Sequence, residues 1–199
     1  GLKVAKHGNR AASGRVGAAD VLEALGARIE LAPEQASALL KRTGITFLFA
    51  PVYHPAFKNV AGPRRELGFR TLFNLTGPLC NPAGADRQLI GLFSADWLER
   101  VVSALAALGS SRAMVVHASD GSDEISATGP TSVVELIDAT VRSYEIKPGD
   151  YGIEPCAVED LQGGDASDNA RTMRAVLGGA GGPVADCVAL NAGAAIYIG

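Results

Sequence analysis

The sequence predicts an α/β fold with a largely parallel sheet. Short strand-like runs of β-branched and aromatic residues alternate with helical patterns along the chain. Polar, glycine-rich turns follow those strands, where an open parallel sheet places its ligands. A length of 199 residues suffices for one α/β domain with a real core.

The elements read in order as follows. Leu2–Ala5 is a short strand. Ala18–Leu25 is a helix with Val21, Leu22 and Leu25 on one face and Gly26 as its stop. Pro33 suits a first helical position, Ala36, Leu39 and Leu40 form a stripe, and Gly44 ends that helix. Ile45–Ala50 is a buried strand stopped by Pro51. Residues 55–67 form a helix that Gly62-Pro63 should kink or break. Asn74–Ala85 is a rigid loop rich in Gly, Pro and Asn.

Gln88–Phe93 is a strand, and residues 95–108 form the clearest amphipathic helix, with Trp97, Val101, Leu105 and Leu108 inward. Ala113–His117 is a strand. Val133–Ile146 reads as two strands joined by a turn near Asp138-Ala139. Asp165–Asp168 opens a helix, Gly178–Gly182 breaks the chain, and residues 184–198 form a buried helix of small apolar residues. His117 and Trp97 read as structural, and Asp168 and Asn169 as helix-start caps.

A formal net charge of −3 and a pI near 5.6 argue against a nucleic-acid binder. No apolar run reaches the roughly 18 residues of a membrane span. Cys80, Cys156 and Cys187 are far apart and form no metal-ligand spacing. Free thiols point to a reducing, cytoplasmic setting. Gly1 in place of an initiator methionine, and an apolar helical pattern still running at Ala194–Gly199, lead to the expectation of a fragment incomplete at both ends.

Three segments carry chemistry. Lys6–Gly17 holds three cations (Lys6, Arg10, Arg15) and three glycines between a strand and a helix. Glycines let backbone amides approach an anion, and Lys and Arg supply charge for phosphate oxygens; the alternative is a polar surface turn. Asp120–Glu124 offers carboxylates suited to magnesium, which takes one or two of them plus phosphate oxygens and water. An acidic turn is the alternative, but a phosphate-binding loop expected in the same sheet favours the metal. His54, Phe57, Lys58, Arg64 and Arg65 offer an aromatic and cationic set for a planar acid. On spacing alone, that third segment reads as a capped helix with exposed cations.

Together these residues resemble one family. KHGNR before ADVLEALG, FLFAP with HPA at 47–56, RRELGFRTLFNLTGPLCNPAGA at 64–85, VVHASDGSDEIS at 115–126 and GGD with NA at 163–170 resemble the anthranilate phosphoribosyltransferases, in order over essentially the whole chain. The resemblance implies a layered αβα catalytic domain of the nucleoside phosphorylase/phosphoribosyltransferase type. Residues 1–199 would be part of that domain, lacking the family's N-terminal helical domain. It implies transfer of phosphoribosyl from 5-phosphoribosyl 1-pyrophosphate to anthranilate in tryptophan biosynthesis, in a cytoplasmic homodimer without nucleic-acid or membrane partners. A fragment of this extent is expected to be inactive alone.

By the same resemblance, Lys6, His7, Gly8, Asn9, Arg10, Ala11, Ala12, Ser13, Gly14 and Ala18 bind the donor. Asn9, Arg64, His54 and Phe57 bind anthranilate, and Asp123 and Glu124 hold Mg2+. No side chain is assigned as catalytic. The resemblance implies that anthranilate's amine, neutral at pH 7, would attack ribose C1 as pyrophosphate leaves, so the protein would position substrates and stabilise charge. The sequence departs from the family at Ala18, where serine is usual, at Cys80, where threonine is usual, and at Gly62-Pro63. The alternatives are a pyrimidine nucleoside phosphorylase of the same fold and a non-catalytic nucleic-acid-binding relative.

Overall fold

The computed structural model describes all residues except 12–15, 68 and 70, and at 61, 64 and 65 it describes the backbone alone. The chain divides into two compact units. The first comprises Gly1–Gly84 and Gly163–Arg174, the second Ala85–Gln162 and Ala175–Gly199.

In the first unit, β1 (Val4–Gly8) pairs in parallel with β2 (Ile45–Phe49). β1 starts two residues later than the sequence predicts and runs through Lys6, His7 and Gly8, with His7 opposite Leu48 and Gly8 opposite Phe49. Ladder pairing with β2 decides this, since polar residues join a strand wherever a partner offers hydrogen bonds. Between the strands lie α1 (Ala18–Ala24) and α2 (Pro33–Thr43). Pro33 stands in the first turn of α2, and Gly44 ends it at φ 81°. Ala19, Ile29 and Phe49 form a small core with Leu22 and Phe47.

After β2 come α3 (Ala50–Tyr53), a 3-10 turn at Pro55–Phe57, and α4 (Lys58–Leu67), which carries Pro63 inside it. Residues Phe73–Leu79 form α5, where the sequence suggests a loop. Phe73 and Leu75 give this segment an apolar side, and Thr71 N–H donates to Asn74 Oδ1 across its first turn at 2.9 Å. Pro78 falls in the last turn, where little helix remains to be broken.

The second unit is a three-layer αβα arrangement. Its sheet runs in the order β3 (Arg87–Gly91), β4 (Arg112–Ala118), β5 (Thr131–Ile137), β6 (Thr140–Ile146). β3 and β4 are parallel across the crossover helix α6 (Leu98–Ala107), and β4–β5 and β5–β6 are antiparallel. Leu98, Val101, Val102 and Leu105 are the buried stripe of α6, each side chain contributing roughly 1.5–3 kcal/mol. Helical spacing places Trp97 and Leu108 on that stripe, and the structure does not. Trp97 is half-buried under the Arg100 guanidinium, and Leu108 is 66% exposed, because the helix ends at Ala107.

Across the sheet, residues Pro183–Ile198 form a helix, which follows α7 (Ala166–Leu177) in the chain and is numbered α8. α8 covers the face opposite α6, where Ala194 and Ile198 meet Met114, Val116 and Val133. Buried Ala113 and Val115, one residue out of phase, face α6. The expected full burial of α8 holds on one side only, for Val188, Ile196 and Tyr197 are exposed. β5 and β6 join through Asp138 and Ala139, both at positive φ (45° and 67°). That is the two-residue turn whose twist matches a right-handed hairpin.

α7 begins with reciprocal bonds: Asp168 N–H donates to Asp165 Oδ1 at 2.8 Å, and Asp165 N–H to Asp168 Oδ2 at 3.2 Å. The helix-start role expected of Asp168 therefore depends equally on Asp165. Asn169 Oδ1 accepts from Gly164 N–H at 2.9 Å. β-carbons at Gly163 and Gly164 would lie 2.6 Å from Asn169 Oδ1 and 2.4 Å from Asp168 Oδ2, which accounts for the paired glycines.

Candidate functional site

The carboxyl ends of β1 and β2 gather most of the residues expected to bind substrates. Their alignment places His7 and Leu48 side by side, and His54 follows α3 directly after β2. The His7 and His54 rings meet edge-to-face with centroids 5.1 Å apart. His54 meets Phe57 in the same manner at 5.6 Å, and Phe57 meets Phe73 at 5.3 Å. Residues read as separate donor and acceptor contacts thus form one continuous aromatic chain.

His54 is held from the other side by the 73–81 segment. Its Nε2 lies 3.0 Å from the Cys80 carbonyl, an acceptor, so Nε2 carries the proton. Asn81 Nδ2 donates to the Ala5 carbonyl of β1 at 3.1 Å. The sequence suggests only a rigid turn here, yet the segment braces both His54 and β1. Its FNLTGPLCNP motif was the available signal, but the partners it braces lie far away in the chain.

His7 sits half-buried with Nε2 unpartnered among the described residues. Burial, followed by the neighbouring His54, pushes its pKa below the ordinary histidine range, against a backbone hydrogen bond to Gly77. The ring is therefore neutral at pH 7. Tyr53 OH, Thr71 Oγ1 and Thr76 Oγ1 are likewise buried without described partners. Each such atom costs about 1–3 kcal/mol, which a ligand or ordered water offsets.

The loop after β1 is less cationic than its composition suggests. The Arg10 guanidinium is engaged by Glu23, with Nη2 2.9 Å from Oε1, and by Asp20 at 3.2 Å, and it stacks over Phe49 at 5.5 Å. Asp20 also accepts from Gly17 N–H at 2.8 Å and from Ala11 N–H at 3.4 Å. Those bonds, with Gly17 foremost, hold its carboxyl below the usual range. In this state Arg10 neutralises protein carboxylates, while Lys6 and Asn9 are exposed. A β-carbon at Gly17 would lie 2.5 Å from Ala11 N, so the loop closes tightly on itself. Ala18 is exposed at the start of α1. Ala12, Ser13 and Gly14 lie outside the described residues, as does the side chain of Arg64, whose backbone lies in α4.

In the second unit, Asp123 and Glu124 are exposed on the loop between β4 and β5, which belong to a different sheet from β1 and β2, contrary to the expectation of one shared sheet. Among the described residues no group of three His, Cys, Asp or Glu side chains gathers to enclose a metal. Two adjacent, solvent-facing carboxylates fit a magnesium ion that keeps most of its water or takes oxygens from a ligand. Asp120, by contrast, turns inward: its Oδ2 accepts from Ser126 Oγ at 2.6 Å and Thr128 Oγ1 at 2.7 Å, and its Oδ1 from Ser122 N–H at 2.8 Å. Partial burial pushes this carboxyl up, but the donors outweigh it and hold the pKa well below the carboxylate range. His117 Nδ1 lies 2.8 Å from the Leu92 carbonyl, in keeping with a structural role. No helix among the described residues is long and apolar enough to cross a membrane.

Residues 1–199 match the family model described as "Glycosyl transferase family, a/b domain". The chain is 56% identical over 198 residues to an anthranilate phosphoribosyltransferase of Azorhizobium caulinodans, and all of it is matched. It spans 58% of that relative's length. The crystal structure of anthranilate phosphoribosyltransferase from Thermus thermophilus superimposes with a TM-score of 0.92 at 48% identity, covering 100% of this chain and 59% of that one. The Saccharomyces cerevisiae anthranilate phosphoribosyltransferase in complex with PRPP and Mg gives 0.86 at 27% identity, covering 98% of this chain and 55% of that one.

Proposed function

The chain belongs to the glycosyl transferase family of this α/β domain, and from that premise we propose that its protein transfers a phosphoribosyl group from 5-phosphoribosyl 1-pyrophosphate to anthranilate. The observation that carries this reading is the His7–His54–Phe57 chain of ring contacts. His7 and His54, 47 positions apart and read separately as donor and acceptor contacts, are neighbours in one unit. The relatives' shared name supports the same substrate pair.

In this reading, Lys6, His7, Gly8, Asn9, Ala11, Ala12, Ser13, Gly14 and Ala18 bind the donor, with Arg10 shaping the loop through Glu23 and Asp20. His54 and the Phe57 ring flank the aromatic acid, with the neutral His7 ring against His54 on the donor side, while Asn9 and Arg64 take its polar groups. The amine nitrogen bonds to ribose C1 as the C1–oxygen bond to pyrophosphate breaks, and the nitrogen then gives a proton to solvent. The residues hold the two reactants in line, which supplies much of the rate. Asp123 and Glu124 would hold magnesium, which would supply positive charge for phosphate oxygens. The cytoplasmic homodimer implied by the family resemblance belongs to the same proposal.

The test is direct. Purified full-length protein, given both substrates and magnesium, should deplete anthranilate fluorescence with stoichiometric release of pyrophosphate. Phosphorolysis of a pyrimidine nucleoside, with no anthranilate consumed, would replace this reading with the phosphorylase alternative.

A further inference from the structure

We propose that Asn191 on α8 and Asp120 on the β4–β5 loop are positioning residues that hold the Asp123-Glu124 pair in the geometry a divalent cation requires. This rests on the reading of Asp123 and Glu124 as the metal-holding pair.

Neither carboxylate belongs to a helix or strand, so neither inherits its position from a regular ladder. Two exposed side chains on a plain loop would sample many separations, and ordering them would cost entropy at each binding event. The loop here is pinned on both sides of the pair. On the C-terminal side, the Asn191 amide grips the backbone of Ile125, the residue after Glu124. Its Oδ1 accepts from Ile125 N–H at 2.9 Å, and its Nδ2 donates to the Ile125 carbonyl at 2.7 Å. One side chain thus satisfies both backbone groups of one residue, as a strand neighbour would. Ile125 is itself buried among Met114, Val116, Ala194 and Ile198.

On the N-terminal side, Asp120 ties the loop's beginning to its end. It accepts from Ser122 N–H, two residues on, and from the Ser126 and Thr128 hydroxyls beyond the pair. Ser119 N–H donates to the Pro130 carbonyl at 2.9 Å, closing the neck of the loop. A metal-holding pair is thereby fixed from a helix 66 residues further along the chain. Asn191 is the only polar residue on α8 apart from Asp186, Cys187 and Tyr197, in a helix otherwise of apolar and small residues. Its Nδ2 also donates to the Cys187 carbonyl one turn back at 2.9 Å, which fixes the amide plane that meets Ile125.

The test uses manganese(II) as a paramagnetic stand-in for magnesium and inorganic pyrophosphate as the oxygen donor, on the full-length protein. Free manganese is read by electron paramagnetic resonance, with no turnover involved. Asn191→Ala and Asp120→Ala should each weaken manganese binding in the presence of pyrophosphate by about 10-fold, the scale of losing a group that orients metal ligands. Asp120→Asn keeps an oxygen acceptor and should recover affinity to within about threefold of wild type. Glu124→Gln is the reference for a direct ligand, and exposed Val188→Ala on the same helix should change nothing.

Affinities within about twofold of wild type in both alanine variants, with Glu124→Gln weakened, would overturn the positioning role alone. Equal losses in Asp120→Asn and Asp120→Ala would assign the effect to charge and likewise overturn positioning. An unchanged Glu124→Gln would remove the metal reading itself, and this inference with it. Should Asn191→Ala fail to fold, the Asp120 pair decides the question.

Discussion

The backbone carbonyl of Asp123 packs against Gly91 at the end of β3, so closely that a β-carbon added at Gly91 would lie 1.4 Å from that oxygen. The loop bearing the two candidate metal ligands thus uses the missing side chain of a strand glycine as its seat. Backbone faces backbone here, so no rotamer change relieves a substitution.

Gly91→Ala should therefore move the loop. The expected cost is about 1–3 kcal/mol of stability, the usual penalty of overpacking. It should be accompanied by weaker manganese binding in the presence of pyrophosphate. Thermal unfolding and the resonance titration together check this, and an unchanged metal affinity would show that the seat does not govern the pair.

The hairpin turn offers a stabilising change. Ala139 holds φ at 67°, where a β-carbon is disfavoured by about 1–2 kcal/mol. Ala139→Gly should raise stability by about 1 kcal/mol without altering function, and Ala139→Val should lower it. Urea unfolding with an unchanged slope is the measurement, and a Gly variant less stable than wild type would refute the turn assignment.

His7 imposes a pH dependence whose sign follows from its lowered pKa. The folded state resists protonation, so the unfolded chain binds the proton first as pH falls below its own value near 6.5. Stability is complete above that value. It is lost on acidification down to the depressed folded pKa, below which the loss stops growing. The slope should stay well under the one-proton limit of about 1.4 kcal/mol per pH unit, because solvent screens a half-buried ring. His7→Asn should flatten this part of the profile on the acid side of about pH 6.5, and an unchanged slope would move the effect to another group.

Arg64 tests the acceptor assignment. A guanidinium paired with the anthranilate carboxylate contributes about 2–3 kcal/mol. Arg64→Ala in the full-length protein should therefore raise KM for anthranilate by about 30- to 150-fold, with a far smaller change for the phosphoribosyl donor. Equal changes for both substrates would remove Arg64 from the acceptor side.

What the sequence determined by itself was local. Pro33 and Gly44 bound α2 because one accepts a first-turn position and the other a left-handed φ. Asp138 and Ala139 mark the hairpin because apolar alternation resumes on either side of them. The motifs around Lys6–Arg10, His54 and Asp123-Glu124 were legible because each compresses its chemistry into a few consecutive residues. Trp97 and Leu108 misled for the same reason: helical spacing states a phase, while both residues lie just outside α6, which runs Leu98–Ala107 and is followed by Gly109 at φ 92°.

Tertiary structure alone decided how those pieces are used. The parallel pairing of β1 with β2 drew Lys6, His7 and Gly8 into a strand and brought His7 to His54. Arg10 found its carboxylates on α1, 10 and 13 residues away. Asn191 reached Ile125 across 66 residues, and the Cys80 carbonyl reached His54 across 26. These partnerships have no sequence signature, because a hydrogen bond depends on where two atoms lie, and the chain between them leaves that distance open until the core has packed.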